Sequence, residues 1–316
     1  MNKSSFSFFS VFLTLLTGCS DGGSSTKGIA QVDSEVPGSR TEFKLQFKAM
    51  VGQMELTCDD IYSGMGANEA YSIGVSDLRF YVSNLSFYDS NGEEIPLTLD
   101  DNSFQLNDDA GSVSLIDFSD TDSGFCELAA EGTPRTNTRI TGMTEDQNIA
   151  SVSFDVGVPQ ALMKSVITAT DDVTDTPPPL SEMYWSWASG YRHFVFNFIS
   201  MDGAHMDMIE NSGLHIGSRD CGGAGKALSD QDSCGLLNTP RVSLQNFNPH
   251  DNVVIVDVAQ ILLHATAADF MGMANFGIQC HSAVAQSACA VLFPSFGLDL
   301  EKGTADPNGN RVFGME

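Results

Sequence analysis

Leu78-Arg79-Phe80-Tyr81-Val82-Ser83-Asn84-Leu85-Ser86-Phe87-Tyr88, followed three residues later by Asn91-Gly92, decides the fold class. Apolar and polar side chains alternate along it with a period of two, which is the pattern of a half-buried strand, and Asn-Gly is a strong signal for a hairpin turn. The same pattern recurs at residues 43–47, 152–156, 193–198 and 253–258. Helical spacing is confined to residues 160–167 and 258–268. Many short strands, glycine-rich turns and a few short helices predict a mainly β domain, an antiparallel β-sandwich or barrel whose loops carry the cysteines.

The N-terminus sets the compartment. Lys3 precedes an apolar run over residues 8–16, and Leu16-Thr17-Gly18-Cys19 matches the lipoprotein signal-peptidase pattern. The run is too short to span a bilayer as a retained helix. Residues 1–18 therefore read as a signal peptide, Cys19 as the lipidated residue, and residues 19–40, rich in serine and glycine, as a flexible tether. Residues 41–316 remain as one domain. The expectation is a lipid-anchored protein of the outer membrane, held in the periplasm or at the cell surface. A formal charge of −26, with 41 acidic residues against 15 basic ones, disfavours nucleic acid as a partner.

Seven cysteines less Cys19 leave an even number for an oxidising compartment. Cys221 with Cys234 and Cys280 with Cys289 would each close a short loop, which leaves Cys58 with Cys126. A thiolate metal site is the rival use, but no C-x-x-C occurs. Cys280-His281 is not a haem attachment site either, because Gly277 stands where C-x-x-C-H needs its first cysteine.

Enzyme signatures fail when tested. There is no H-E-x-x-H, G-x-S-x-G or dinucleotide-type G-x-G-x-x-G, and the expectation is a protein without catalytic activity. Metal chemistry survives. Residues 181–221 hold both tryptophans, Trp185 and Trp187, and three of the six histidines, His193, His205 and His215. Neutral imidazoles suit copper, and the thioethers of Met201, Met206 and Met208 favour Cu(I). His215, just before the turn at Gly217-Ser218, is the leading candidate ligand, with His193 or His205 as its partner and a methionine or a tryptophan-derived group assisting. The tryptophans, two residues apart, share one face if extended and could frame a pocket.

Five short motifs in order resemble one family. They are D-L-R-F-Y-V-S-N at 77–84, V-G-V-P at 156–159, M-Y-W-S-W-A-S-G-Y at 183–191, H-I-G-S at 215–218 leading to Cys221, and Cys280 and Cys289 followed by F-G-L and Val312-Phe313. Over roughly residues 41–313 the chain is similar to the MbnP-type proteins, exported copper binders with a four-cysteine motif. The resemblance implies a non-enzymatic copper protein paired with a MauG-like di-haem cytochrome, MbnH, that oxidises a tryptophan to kynurenine. Related copper-binding proteins use kynurenine with two histidines at Cu(I). Trp185 or Trp187, the two indoles of the chain, would be the oxidised residue here; the chain departs from the family in having no tryptophan at residues 43–58. The competing reading is a lipid-anchored β-sandwich that binds a glycan or a protein, with the tryptophans as a stacking platform.

Overall fold

The computed structural model describes residues 40–316 apart from 130, 146–147, 187–188, 203–204, 223–227 and 272–276, and it leaves the side chains of 173, 202, 205–210 and 271 undescribed. Cys19 and Trp187 therefore lie outside the described residues.

Two sheets pack face to face. The strands that matter are β1 (Thr41–Val51), β2 (Tyr71–Tyr88), β3 (Gly111–Asp117), β4 (Arg139–Thr144), β5 (Ser151–Val156), β6 (Tyr184–Ser186), β7 (Gly190–Asp202), β8 (His205–Gly217), β9 (Arg241–Gln245), β10 (Val254–Asp257), β11 (Gln279–Cys280) and β12 (Phe313–Met315). The smaller sheet runs β12-β10-β1-β4 and ends on Leu97–Leu99. The larger runs β9-β5-β2-β7-β8-β11, with β3 and β6 pairing on β2 and β7. Most pairings are antiparallel, as the alternation predicts, but β1 pairs with β10 and β8 with β11 in parallel, so both sheets are mixed. Neither closes into a barrel.

Aromatic rings fill the space between the sheets. Phe47 of β1 meets Phe80 of β2 and Phe154 of β5 at centroid distances of 5.7 and 5.8 Å, and Phe80 also touches Phe194 and Phe313. Edge-to-face contacts of this kind add to the large area that each ring withdraws from water. The Asn91-Gly92 turn forms as read, with Asp89 accepting from the backbone of Asn91 and Glu93. One helix also forms where the spacing placed it, Gln160–Ala169 (α1), burying Leu162, Met163, Val166 and Ile167. The helix expected over 258–268 is broken into Ala259–Leu262 and Ala267–Met271. Thr266 and Asp269 explain the restart, since the Asp269 carboxylate accepts from both the amide and the hydroxyl of Thr266.

All three disulfides join the expected pairs: Cys58–Cys126, Cys221–Cys234 and Cys280–Cys289. The cysteines thus serve the fold rather than a thiolate metal site.

One expectation reverses in an instructive way. Alternation on β2 read as one buried and one solvated face, yet residues 72–83 are buried on both. Ile73, Val75, Leu78, Phe80 and Val82 face the smaller sheet. On the other face lie polar groups, Asp77, Arg79 and Ser83, each at most 3% exposed. Helix α1 and its apolar neighbours cover part of this second face beside Tyr81 and Val195, and the candidate site lies on the same side of the sheet.

Candidate metal centre

The strand registers lay the site out row by row. Asp77 of β2, Asn197 of β7, Gly213 of β8 and Gln279 of β11 stand opposite one another on four neighbouring strands. The next row holds Arg79, Val195 and His215, with His281 following β11 alongside. Side chains two apart on a strand share a face. Hence Asn197 and Val195, His215 and Gly213, and Gln279 and His281 all belong to the polar side of the sheet, whereas Phe194, Phe196, Leu214 and Cys280 point into the core.

Two imidazoles meet there. His215 Nδ1 and His281 Nδ1 are 3.0 Å apart, and the ring centroids are 4.6 Å apart in an edge-to-face arrangement. Outward, His215 Nε2 lies 2.9 Å from Asn197 Oδ1 and His281 Nε2 lies 3.2 Å from Gln279 Oε1. Both rings line a cavity of about 210 Å3 with Asn197, Gly213 and Gln279, and Leu128 and Ala129 stand at its edge.

Covalent and hydrogen-bonded ties hold His281 in place. Cys280, its neighbour, is bonded to Cys289, and the His281 amide donates to Gln286 Oε1. Ser282 Oγ donates to the His215 carbonyl and accepts from the Gly217 amide, both at 2.9 Å, which staples this loop to β8.

The surroundings keep both rings neutral. Burial, then the His281 ring and the Arg192 and Arg79 charges, push His215 down to about 3. Burial, with Arg192 and Arg219, pushes His281 down as well. Arg79 is wholly buried on Asp77 through two 2.7 Å bonds, and Arg192 pairs with Glu131, so each cation has its own carboxylate partner. A neutral imidazole is the form that ligates metal.

Trp185 sits one same-face step along the strand. A Cβ built on Gly217 would come within 2.9 Å of the Trp185 ring, and Gly217 and His215 are two residues, about 7 Å, apart on β8. The Arg219 guanidinium lies over the indole at 5.3 Å. Gly213 and Gly217 therefore flank His215 on its own face, the first leaving room for Asn197 and the second for the indole.

Other expected ligands go elsewhere. His193 falls at a β-bulge between Arg192 and Phe194, which turns it out of the row that holds His215. Its Nδ1 donates to the Asn238 carbonyl at 3.1 Å and its Nε2 lies 3.4 Å from Ser218 Oγ, so both nitrogens are engaged within the fold. His205 opens β8, opposite Asp202. Roughly 33 Å of extended strand, at about 3.3 Å per residue, separates it from His215, too far to share an ion. Met201 is buried opposite Ser72, away from the cavity, and the side chains of Met206 and Met208 are not among those described. The residue that sequence reading missed is His281. Its signal was its position directly after a disulfide cysteine.

The donor set fits copper of low coordination number. Imidazole nitrogens suit copper, and among the described residues no three His, Cys, Asp or Glu side chains converge.

Comparison with known proteins identifies the fold and the family. A solved structure, MbnP from Methylosinus trichosporium, superposes with a TM-score of 0.67 at 21% identity, covering 87% of this chain and 98% of that one, and so shows a shared fold. No curated protein sequence matches. The MbnP family model matches residues 40–282, a span that runs from β1 through His281 and Ser282. This chain belongs to the MbnP family.

Proposed function

We propose that the protein is an exported, lipid-anchored copper-binding protein that takes one Cu(I) ion between His215 and His281 and works with a MauG-like di-haem partner that oxidises Trp185 to kynurenine. The observation that carries the reading is the 3.0 Å approach of the two Nδ1 atoms inside a cavity, with the indole one step along the same strand face. Two neutral imidazoles would hold a soft cation such as Cu(I) without adding charge.

Oxidation of Trp185 would complete the ligand set. Cleavage of the indole C2–C3 bond, with two equivalents of hydrogen peroxide consumed at the partner's haems, each delivering one oxygen atom and leaving as one water, would give N-formylkynurenine. Hydrolysis then releases C2 as formate. The resulting aryl amine and ketone are donors that indole lacks. Three disulfides fit a protein that folds in an oxidising compartment, and acylation of Cys19 with the following tether would hold it at the membrane.

Copper titration of the purified, signal-free protein against a Cu(I) chelator tests the metal site. One ion per chain, lost in His281→Ala, is expected; wild-type affinity in that variant removes the site. Peptide mass mapping after co-expression with the di-haem partner tests the oxidation. The Trp185 peptide should lose one carbon and gain one oxygen, and an unmodified peptide refutes this half of the proposal.

A further inference from the structure

We infer that Asn197 and Gln279 are positioning residues that fix the tautomer of both histidines, so that their Nδ1 lone pairs are forced to converge. This rests on the copper reading above for its purpose, although not for its geometry. Gln279 supplies the firmest step. Its Nε2 donates to the Asn211 carbonyl at 2.7 Å, which turns Oε1 toward His281 Nε2 at 3.2 Å. A carbonyl oxygen only accepts, so His281 carries its proton on Nε2.

The same logic holds across the site. Asn197 Oδ1 stands 2.9 Å from His215 Nε2, and with the amide in this orientation that nitrogen carries the proton. Asn197, Gly213 and Gln279 lie side by side in one row of three strands. Asn197 reaches His215 only because position 213 has no side chain: a Cβ there would lie 2.9 Å from Asn197 Oδ1. A neutral imidazole has a single N–H. Each ring spends it outward, and each is left with a lone pair on the nitrogen that faces the other.

The 3.0 Å separation is a hydrogen bond if one Nδ1 carries a proton and a repulsive contact if neither does; the outward bonds assign the second, and a cation between the two lone pairs would satisfy both. Metal–imidazole bonds of about 2.0–2.1 Å, taken from zinc, need the rings to part by only a few tenths of an ångström at a trigonal angle. Partners that orient a ligating histidine through its second nitrogen typically change metal affinity by about 10- to 100-fold when removed. Asn197 and Gln279 hold that place here.

The test reads tautomers directly. In metal-free protein labelled with 15N-histidine, long-range 1H–15N correlation at neutral pH should show protonated Nε2 and bare Nδ1 on both His215 and His281. Asn197→Leu and Gln279→Met, which remove the acceptors, should redistribute the tautomers and weaken Cu(I) binding by about 10- to 100-fold. Protonated Nδ1 on either ring of the wild type overturns the inference, and so does wild-type Cu(I) affinity in both acceptor-free variants. If Asn197→Leu does not fold, Gln279→Met, near the surface, decides. Correct tautomers in a protein that binds no Cu(I) would leave the positioning role standing and defeat the copper reading instead.

Discussion

The two faces of strand β7 use the same backbone for opposite ends. Phe194, Phe196 and Phe198 point into the aromatic core, while Asn197, on the opposite side, joins the polar layer that holds His215 and His281, and Val195 joins a smaller apolar cluster beside that layer. Both faces are buried. The difference is that the first is stabilised by area and shape, and the second by hydrogen bonds whose donors and acceptors must be matched one to one. Damage to the first should therefore appear as lost stability, and damage to the second as lost selectivity for an ion.

The largest expected effect breaks the apolar side. Phe80→Ala removes a ring in contact with Phe47, Phe194 and Phe313 and should cost about 3–5 kcal/mol in denaturant unfolding, with the copper stoichiometry of the folded fraction unchanged. Copper loss without destabilisation would erase the distinction between the faces.

Next in size is a pH effect at His193. Its burial, opposed by the hydrogen bond to Asn238, lowers its pKa from 6.5 to about 4. The unfolded chain then takes up the proton first as pH falls. Stability from this group is complete above about 6.5 and declines between there and pH 4, by roughly 3 kcal/mol at 1.36 kcal/mol per pH unit. Urea unfolding from pH 7 to 4.5 should have a steeper slope in the wild type than in His193→Asn. Equal slopes would place the acid sensitivity elsewhere.

His215→Ala sharpens the contrast from the polar side. Cu(I) affinity should fall by about two orders of magnitude, at or above the upper end for loss of an orienting partner, while unfolding free energy drops by only about 1–2 kcal/mol. A competition titration alongside a melt separates the two. The smallest effect is expected for Gly213→Ala, which adds one methyl group 2.9 Å from Asn197 Oδ1. It should displace that amide and lower affinity about tenfold, and unchanged affinity would show that Asn197 can move without consequence.

Much of the fold was legible from local chemistry. The alternation at 78–88, the Asn-Gly turn, α1 and the three disulfides need only neighbouring residues or simple pairing rules to be read. The parallel pairing of β1 with β10 was not legible, because nothing local marks a contact across two hundred residues. The site divides in the same way. His215 and Trp185 stood out by composition, and the indole lies against Gly217, two residues from His215 on β8. His193 misled because a bulge, invisible in alternation, takes it out of register. His281 was overlooked because its partner is 66 residues away and its seat depends on a disulfide and a serine. Polar residues on β2 were read as solvated because a pattern of two shows that faces differ, not what covers each of them.

Ser282 has a consequence for how other chains can approach. Strand β11 supplies ladder partners to β8 only as far as Leu214, and beyond it the outer edge of β8 would offer the His215 carbonyl and the Gly217 amide to any incoming strand. A single hydroxyl already occupies both. Exposed edges invite sheet extension between molecules, and here the invitation is withdrawn where the imidazole and the indole sit. A chain that docks beside this pair does so without adding a strand to β8 there.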